Sequence, residues 1–543
     1  MEAKNKNRIP ADGWEGFKEN IASDATSGFL VFLIALPLSL GIAKASDFPA
    51  IMGLMTAMIG GLVVSFFAGS KLTIKGPAAG LIVIVAGAVE EFGKGDMVAG
   101  WHLTLGAILV AGIIQMLFGL IRLGSLVDFF PLSTIHGMLA AIGIIIISKQ
   151  THILFNLPPM DEMGNPLAEP IKLIMAIPQS AANAETSVAI IGILSLLIVL
   201  FWPKVTVGGL KKIPAPLVVL TVAIGLGQLL HIDKKYLVHF DQDFIHTIAW
   251  NERFDGIHHV GIYVKYIIMF AVVGSLESLL TVKAMDGLDP YQRKSDANKD
   301  LIAVGFGNVL SSIVGGLPMI SEVARSSANI HNGAKTRFAN FFHGLFMLIF
   351  LFFDLQFSDL IPNAALAALL IGVGLKLASP KEFGRMAKIG FEQLLGFSTT
   401  IVVTLISDLL VGIAAGIVVK LLVQWILGAP FSRMFRAKIL KNHNHWEVLG
   451  AAVFSNWLGI QKHLEHYAKS SELHLDFSRC NLVDHTVMDN LLHLQLEFEH
   501  QGGKLHLLGL DTMKSANNST HARGALNRPK GERLNKNGEV KRN

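Results

Sequence analysis

Two apolar stretches of this chain are broken by the same device, and the breaks sit 241 residues apart, proline to proline. The first reads Lys71-Leu72-Thr73-Ile74-Lys75-Gly76-Pro77-Ala78-Ala79-Gly80 and then runs into an apolar segment. The second reads Val314-Gly315-Gly316-Leu317-Pro318-Met319-Ile320-Ser321-Glu322 and does the same. Proline fixes φ and suits a first helical turn, and glycine permits an unwound approach to it. A helix that begins inside a membrane turns its free N–H groups and positive dipole end toward whatever lies there. Two such starts in corresponding halves of a membrane chain point to an anion site near the bilayer midplane.

The rest of the sequence prefers the same solvent. Of 543 residues, 52% are hydrophobic and 16% charged, with mean hydropathy +0.50. That is too apolar for a water-soluble protein of this size. We count fourteen apolar segments, at 24–44, 49–69, 77–90, 100–121, 130–148, 186–202, 215–231, 261–282, 300–314, 319–331, 338–354, 360–379, 396–409 and 411–428. The segments at 77–90 and 319–331 fall short of the roughly 20 residues of a full crossing. Each is expected to be an extended entry strand followed by a half-helix, which at that depth must be buried in protein or line a wet cavity. The single cysteine, Cys480, excludes an internal disulfide and a Cys-rich metal cluster. The net charge of +5 comes from membrane borders and does not point to nucleic acid.

Lys and Arg set the orientation. Cytoplasmic loops are expected to hold Lys71, Lys75, Arg122, Lys204, Lys211, Lys212, Lys283, Arg293, Lys294, Lys299, Lys335, Arg337, Lys381, Arg385 and Lys388. The opposite loops hold Glu90, Glu91, Asp96, Asp354 and Asp359. The bias predicts both termini in the cytoplasm. Residues 1–22 are read as a polar cytoplasmic segment without a cleavable signal, the first span serving for insertion. Seven segments followed by seven, an odd number per copy, would invert the second copy. The predicted fold is therefore an all-α polytopic membrane domain over residues 23–430, about fourteen spans in a 7+7 inverted repeat, with the two half-helices meeting head to head. Residues 431–512 predict a small cytosolic α/β domain, with strands at Glu447–Phe454, Glu472–Asp476 and Lys504–Leu510 and a helix over 484–500. Residues 513–543, rich in Asn, Lys, Arg and Gly, predict a disordered basic tail.

Several runs together resemble the SulP anion transporter family. They are Ala35-Leu36-Pro37-Leu38-Ser39-Leu40, Ile74-Lys75-Gly76-Pro77-Ala78-Ala79, Phe130-Pro131-Leu132-Ser133-Thr134-Ile135-His136-Gly137, and Gly274-Ser275-Leu276-Glu277-Ser278-Leu279-Leu280-Thr281. Asn308 through Gly316-Leu317-Pro318, with Arg325-Ser326, completes the set, and the C-terminal domain resembles a STAS domain. The resemblance implies a core domain that moves like an elevator against a gate domain. It also implies an inorganic anion substrate such as sulfate or bicarbonate, a homodimer in the bacterial inner membrane, and a functional link to carbonic anhydrase. Bicarbonate is the favoured substrate, because the chain looks most like the subgroup encoded beside or fused to that enzyme.

The expected substrate pocket is Ala78, Ala79 and Gly80 at the head of one half-helix, and Ile320, Ser321, Glu322 and Val323 at the head of the other. Leu38 and Ile42 match family positions that wall the pocket. Arg325 is expected to add positive field for the anion or to pair with Glu322 at i,i+3; both readings stay open. Glu277, with Thr281 one turn on, is the expected coupling site. A carboxylate stands there in family members that bind sodium and in others tied to proton coupling. Glu322 replaces the small or hydroxyl residues of sodium-coupled members, which leans the coupling ion toward H+ over Na+. No other cofactor and no metal set is expected. His443, His445, His463 and His466 read as solvated side chains, and His136 as a satisfied polar residue. Asp484-His485-Thr486 departs from the phosphorylatable pattern of soluble STAS domains. Two other readings are weighed: a membrane-embedded anion sensor, and a nucleobase permease on the same fold, which would want polar side chains where Ala78, Ala79 and Met319 stand. An enzyme is not expected, since no triad, metal set or phosphate loop appears.

Overall fold

The computed structural model describes residues 9–125, 128, 130–156, 159, 167, 169–206, 213–238, 252–353, 360–464, 467–515 and 524–528. His466, Asp354, Asp359, Lys211, Lys212 and residues 529–543 lie outside them. The chain divides into two compact units, Met1–Gly124 with Ile142–Leu377, and Ser125–Ala141 with Ala378–Asn543. This division falls inside the 23–430 segment read as membrane-spanning, because the apolar helices at Phe391–Ile406 and Leu409–Ile426 group with the C-terminal residues.

The first unit is helical apart from two short strands. In order it holds α1 (Gly13–Ala45), α2 (Ile51–Phe67, with a π-helical turn at Gly60–Val64), β1 (Ile74–Pro77), α3 (Ile82–Gly93) and α4 (Met97–Leu120). Then come the later part of α5 (Leu132–Phe155), α6 (Pro170–Ala182), α7 (Thr186–Phe201), α8 (Ala215–Leu229), α9 (Val260–Leu288) and α10 (Ala297–Ile313). β2 (Met319–Glu322), α11 (Val323–His331), α12 (Phe338–Phe353) and α13 (Asn363–Leu377) complete it. Each of the fourteen apolar segments coincides with a helix, or with a strand and the short helix after it. Among the described residues of the whole chain, seven helical stretches are long and apolar enough to cross a bilayer, Leu409–Ile426 of the second unit included. Aspartates start several helices of the unit where the first N–H groups lack partners. Asp96 accepts from Val98 and Ala99 at 3.0 and 3.1 Å, and Asp296 from Asn298 and Lys299 at 3.1 Å each.

The two Gly-Pro breaks come together. β1 and β2 pair antiparallel, with Ile74 opposite Glu322, Lys75 opposite Ser321, Gly76 opposite Ile320 and Pro77 opposite Met319. Non-helical backbone inside an apolar unit needs partners of its own. Leu317 N–H donates to Thr56 Oγ1 at 2.8 Å, and its carbonyl accepts from Ser311 Oγ at 2.7 Å. Met319 N–H donates to Asn308 Oδ1 at 2.6 Å and Ile74 N–H to Ser326 Oγ at 2.9 Å.

Lys75 corrects the loop reading of the sequence. It is fully buried, as is Asp300 of α10. Lys75 Nζ donates to both Asp300 carboxylate oxygens at 2.8 and 2.9 Å, to Thr73 Oγ1 at 2.7 Å, to Ser70 Oγ at 3.1 Å and to Ser321 Oγ at 2.6 Å. Ser321 Oγ in turn donates to Asp300 Oδ2 at 3.0 Å. One ammonium therefore ties β1, β2 and α10 together.

The second unit holds α14 (Pro380–Ile389), α15 (Phe391–Ile406), α16 (Leu409–Ile426) and a C-terminal α/β domain. The domain's strands are β3 (Lys438–Asn442), β4 (His445–Ala452), β5 (Glu472–Asp476), β6 (Cys480–Val483), β7 (Lys504–Leu508), β8 (Lys514–Ser515) and β9 (Leu526–Asn527). The sheet order is β7-β5-β4-β6-β9-β8, with β3 on β4. Helices α17 (Phe454–Leu464) and α18 (His485–His500) pack on it through Trp457, Ile460, Val487, Leu491 and Phe498, against Trp446, Val448, Leu473, Leu475 and Leu505.

The tail from 513 is corrected in part. Residues 526–527 pair antiparallel with β6, and buried Arg528 donates from Nε to the Cys480 carbonyl at 2.8 Å. A short return strand covers what would otherwise be an open strand edge. Buried Asp484 caps α18 through Val487 N–H at 2.8 Å and accepts from Gln424 Nε2 of α16 at 2.6 Å. Thr486 is also buried, its hydroxyl accepting from Leu132 N–H at 3.4 Å. That placement gives a phosphate no room.

Removing one partner of a buried ion pair strands the other. Lys75→Met is expected to cost about 3–5 kcal/mol, and Lys75→Met with Asp300→Asn markedly less. Thermal unfolding of the detergent-solubilised variants measures it. Equal losses in both would show that a stranded Asp300 carboxylate is not the source of the cost.

Candidate functional site

The register of β1 and β2 places the two half-helix heads. α3 follows Pro77, which stands opposite the first residue of β2, and α11 follows Glu322, opposite the first residue of β1. The heads therefore oppose each other across the ladder, separated by about 10 Å of strand. Sequence reasoning expected them to meet head to head. The antiparallel pairing is what keeps them apart.

At the α3 head the chain turns through Ala79–Leu81 in a 3-10 turn, with Ala78, Ala79 and Gly80 buried. Ala78 N–H donates to the Pro318 carbonyl at 3.2 Å, which locks this head to the second break. Gly80 faces the carboxylate of Glu277 on α9 so closely that a Cβ at position 80 would overlap it. Glu277 is buried, and its Oε1 has no hydrogen-bond partner among the described residues. The same holds for Thr281 Oγ1. Residues 277 and 281 share a helix face.

The α11 head is built differently. Glu322 is its N-cap, with Oε2 accepting from Arg325 N–H at 3.1 Å. The positive end of this helix is thus met by a carboxylate of its own chain. Ile320, Ser321 and Glu322 are buried. Val323 is 52% exposed and does not join them. Ser321 is committed to the Lys75 network and to Ser278, whose Oγ accepts from Ser321 N–H at 3.1 Å.

Arg325 is fully buried, and none of its three guanidinium nitrogens has a hydrogen-bond partner among the described residues. Its link to Glu322 runs through the backbone N–H. The guanidinium lies over the ladder instead, with Nη1 where a side chain on Gly76 would have to go. His343 of α12 is likewise fully buried with both ring nitrogens unpartnered, within electrostatic reach of Arg325. Leu38 and Ile42 are buried on α1, and α1 packs against β1 and both short helices.

The structure thus brings Ala78, Ala79, Gly80, Glu277, Ile320, Ser321, Glu322 and Arg325 to one crossing. Sequence reasoning missed Asp300, Ser278, His343 and the burial of Lys75. A lysine inside an Ile-Lys-Gly-Pro run is the signal it passed over, since the neighbours of Lys75 on the strand are apolar. Chemically, the crossing offers one unpaired guanidinium, one open helix head and a carboxylate oxygen without a donor.

A family model, the sulfate permease family, matches residues 21–403. A putative sulfate transporter of Bacillus subtilis, YvdB, is 25% identical over 402 residues, covering 74% of this chain and 72% of that protein. The bicarbonate transporter BicA of Synechocystis is 26% identical over 408 residues, covering 73% and 68%. Among solved structures, the transmembrane domain of a cyanobacterial BicA superposes with TM-score 0.63 at 22% identity, over 74% of this chain and 98% of that one. SLC26A9 gives 0.63 at 16% identity, over 91% and 85%. The helical unit with its crossed half-helices, and the match over more than half of its length, make this chain a member of the sulfate permease family of membrane anion transporters.

Proposed function

We propose that the chain carries bicarbonate across the membrane, by movement of the unit that holds the crossing, with a cation coupled through Glu277. The observation that carries the reading is the Arg325 guanidinium, buried and without a hydrogen-bond partner among the described residues. An isolated charge in an apolar interior is costly unless something neutralises it. A small oxyanion over the ladder would do so, taking hydrogen bonds from the guanidinium and from the open head of α3.

Charge counting selects the anion. The second head is already met by Glu322, which also acts electrostatically on Arg325, and the Lys75 ammonium by Asp300, so at most one positive charge remains. That balances a monovalent bicarbonate and leaves a divalent sulfate half-compensated. Relatives bearing each name stand at similar identity, so the charge argument carries the choice.

Glu277 sits against the α3 head, next to where such an anion would rest. A cation on its carboxylate would cancel the repulsion between acid and substrate. Binding of the two would then be linked, which is the thermodynamic content of coupling. Thr281 Oγ1 on the same face offers a further oxygen. Sodium and proton differ in the test: sodium coupling makes uptake depend on the sodium gradient at fixed pH, proton coupling on the pH gradient without sodium.

Labelled bicarbonate uptake into proteoliposomes is expected, with sulfate competing weakly. Sulfate uptake that exceeds bicarbonate uptake would overturn the assignment. Arg325→Ala is expected to raise the apparent KM roughly tenfold to a hundredfold, the worth of a lost charge-assisted hydrogen bond. Glu277→Gln is expected to leave folded protein that exchanges anion without responding to the cation gradient. Gly80→Ala, which drives a methyl group into the carboxylate, should reproduce that defect. Gradient-driven accumulation at the unsubstituted rate in either variant would remove Glu277 from the coupling.

A further inference from the structure

The C-terminal sheet carries a second arrangement of titratable groups, which the transport reading does not use. Alternate residues of β4, β5 and β7 face away from the helices. In the parallel register, His445 stands opposite His474, and His474 opposite His506. Their core-facing neighbours Trp446, Leu473, Leu475 and Leu505 are buried, whereas the histidines are half-buried on the open face. The His474 and His506 rings stack with centroids 4.7 Å apart and planes at 12°. Glu472 reaches both, its Oε1 lying 2.8 Å from His506 Nε2 and 3.5 Å from His474 Nε2.

Hydrogen bonding alone leaves this cluster incomplete. His506 Nε2 is shielded from solvent and, with Glu472 Oε1 2.8 Å away, makes no hydrogen bond among the described residues. An imidazole lone pair facing a carboxylate oxygen is a repulsive contact that a cation between them relieves. The two Nε2 atoms and the Glu472 oxygen all lie within 4.8 Å of one another. Two imidazoles and one carboxylate form the donor set of a borderline transition ion and are poorly suited to calcium or magnesium.

The geometry assigns Glu472, His474 and His506 as a binding site for a zinc-class divalent ion, with water completing its coordination. β7 is the edge strand of the sheet, so the ion would fasten it to β5. The assignment stands apart from the transport site, since the residues belong to the C-terminal domain alone.

Zinc chloride titrated into the full-length, untagged protein by equilibrium dialysis tests it. One saturable zinc per chain is expected, lost in the His474→Ala/His506→Ala variant and weakened at least roughly tenfold in Glu472→Gln. His463→Ala, on an exposed side chain of α17, should bind as the unsubstituted protein does. Cobalt in place of zinc should give the intense visible bands of a low-coordinate site. Zinc should raise the unfolding temperature of the unsubstituted protein and leave that of the double variant unchanged. Undiminished saturable binding in the double variant, no saturable binding in the parent, or a cobalt spectrum identical to that of the aqueous ion would each overturn the site.

Discussion

Eight residues decide how the membrane unit works. β1 and β2 satisfy each other's backbone where neither lipid nor a helix could, and their antiparallel sense makes the chain leave the crossing in opposite directions. Two helix heads therefore face one short ladder from its two ends. A parallel pairing would set both heads at the same end. A slip of one residue would move Lys75 away from Asp300 and turn its ammonium out of the oxygen cage that neutralises it. Register, ion pair and head placement are one constraint seen three ways.

The crossing is electrically asymmetric. Its α11 head is answered by Glu322, and its α3 head is approached by Glu277. Arg325 turns its guanidinium back over Gly76. Two carboxylates and one guanidinium without a hydrogen-bond partner among the described residues share this buried crossing. Under the proposed coupling, such a set would take up an anion together with a cation and release the two together. A site with both heads open and no acid nearby would bind more strongly and turn over more slowly.

The half-helices were legible because proline and glycine constrain the backbone wherever they stand, and apolar run length is read directly from sequence. Strands β5 and β7 were legible from strict alternation, as at Leu473, Leu475 and Leu505. Lys75 was not, because a count of positive charge at membrane borders treats every lysine as exposed, and its partner Asp300 lies 225 residues on. Residues 526–527 were missed because so short a strand has no period to detect, and only the uncovered edge of β6 gives it a reason to form. His474 and His506 were passed over for the same kind of reason: their meeting depends on strand register, which no local pattern encodes.

The Lys75 cage also narrows where coupling can reside. Asp300 and Glu277 are both buried acids close to β2 or the α3 head, and by sequence either could take up a cation. Asp300 already holds one, covalently tethered, with Ser70, Thr73 and Ser321 completing the oxygen shell around the ammonium. A mobile cation there would have to displace a lysine that cannot leave. Glu277 Oε1 has no such occupant. With Asp300 occupied by its own lysine, the proposed coupling has only Glu277 of these two acids to act through.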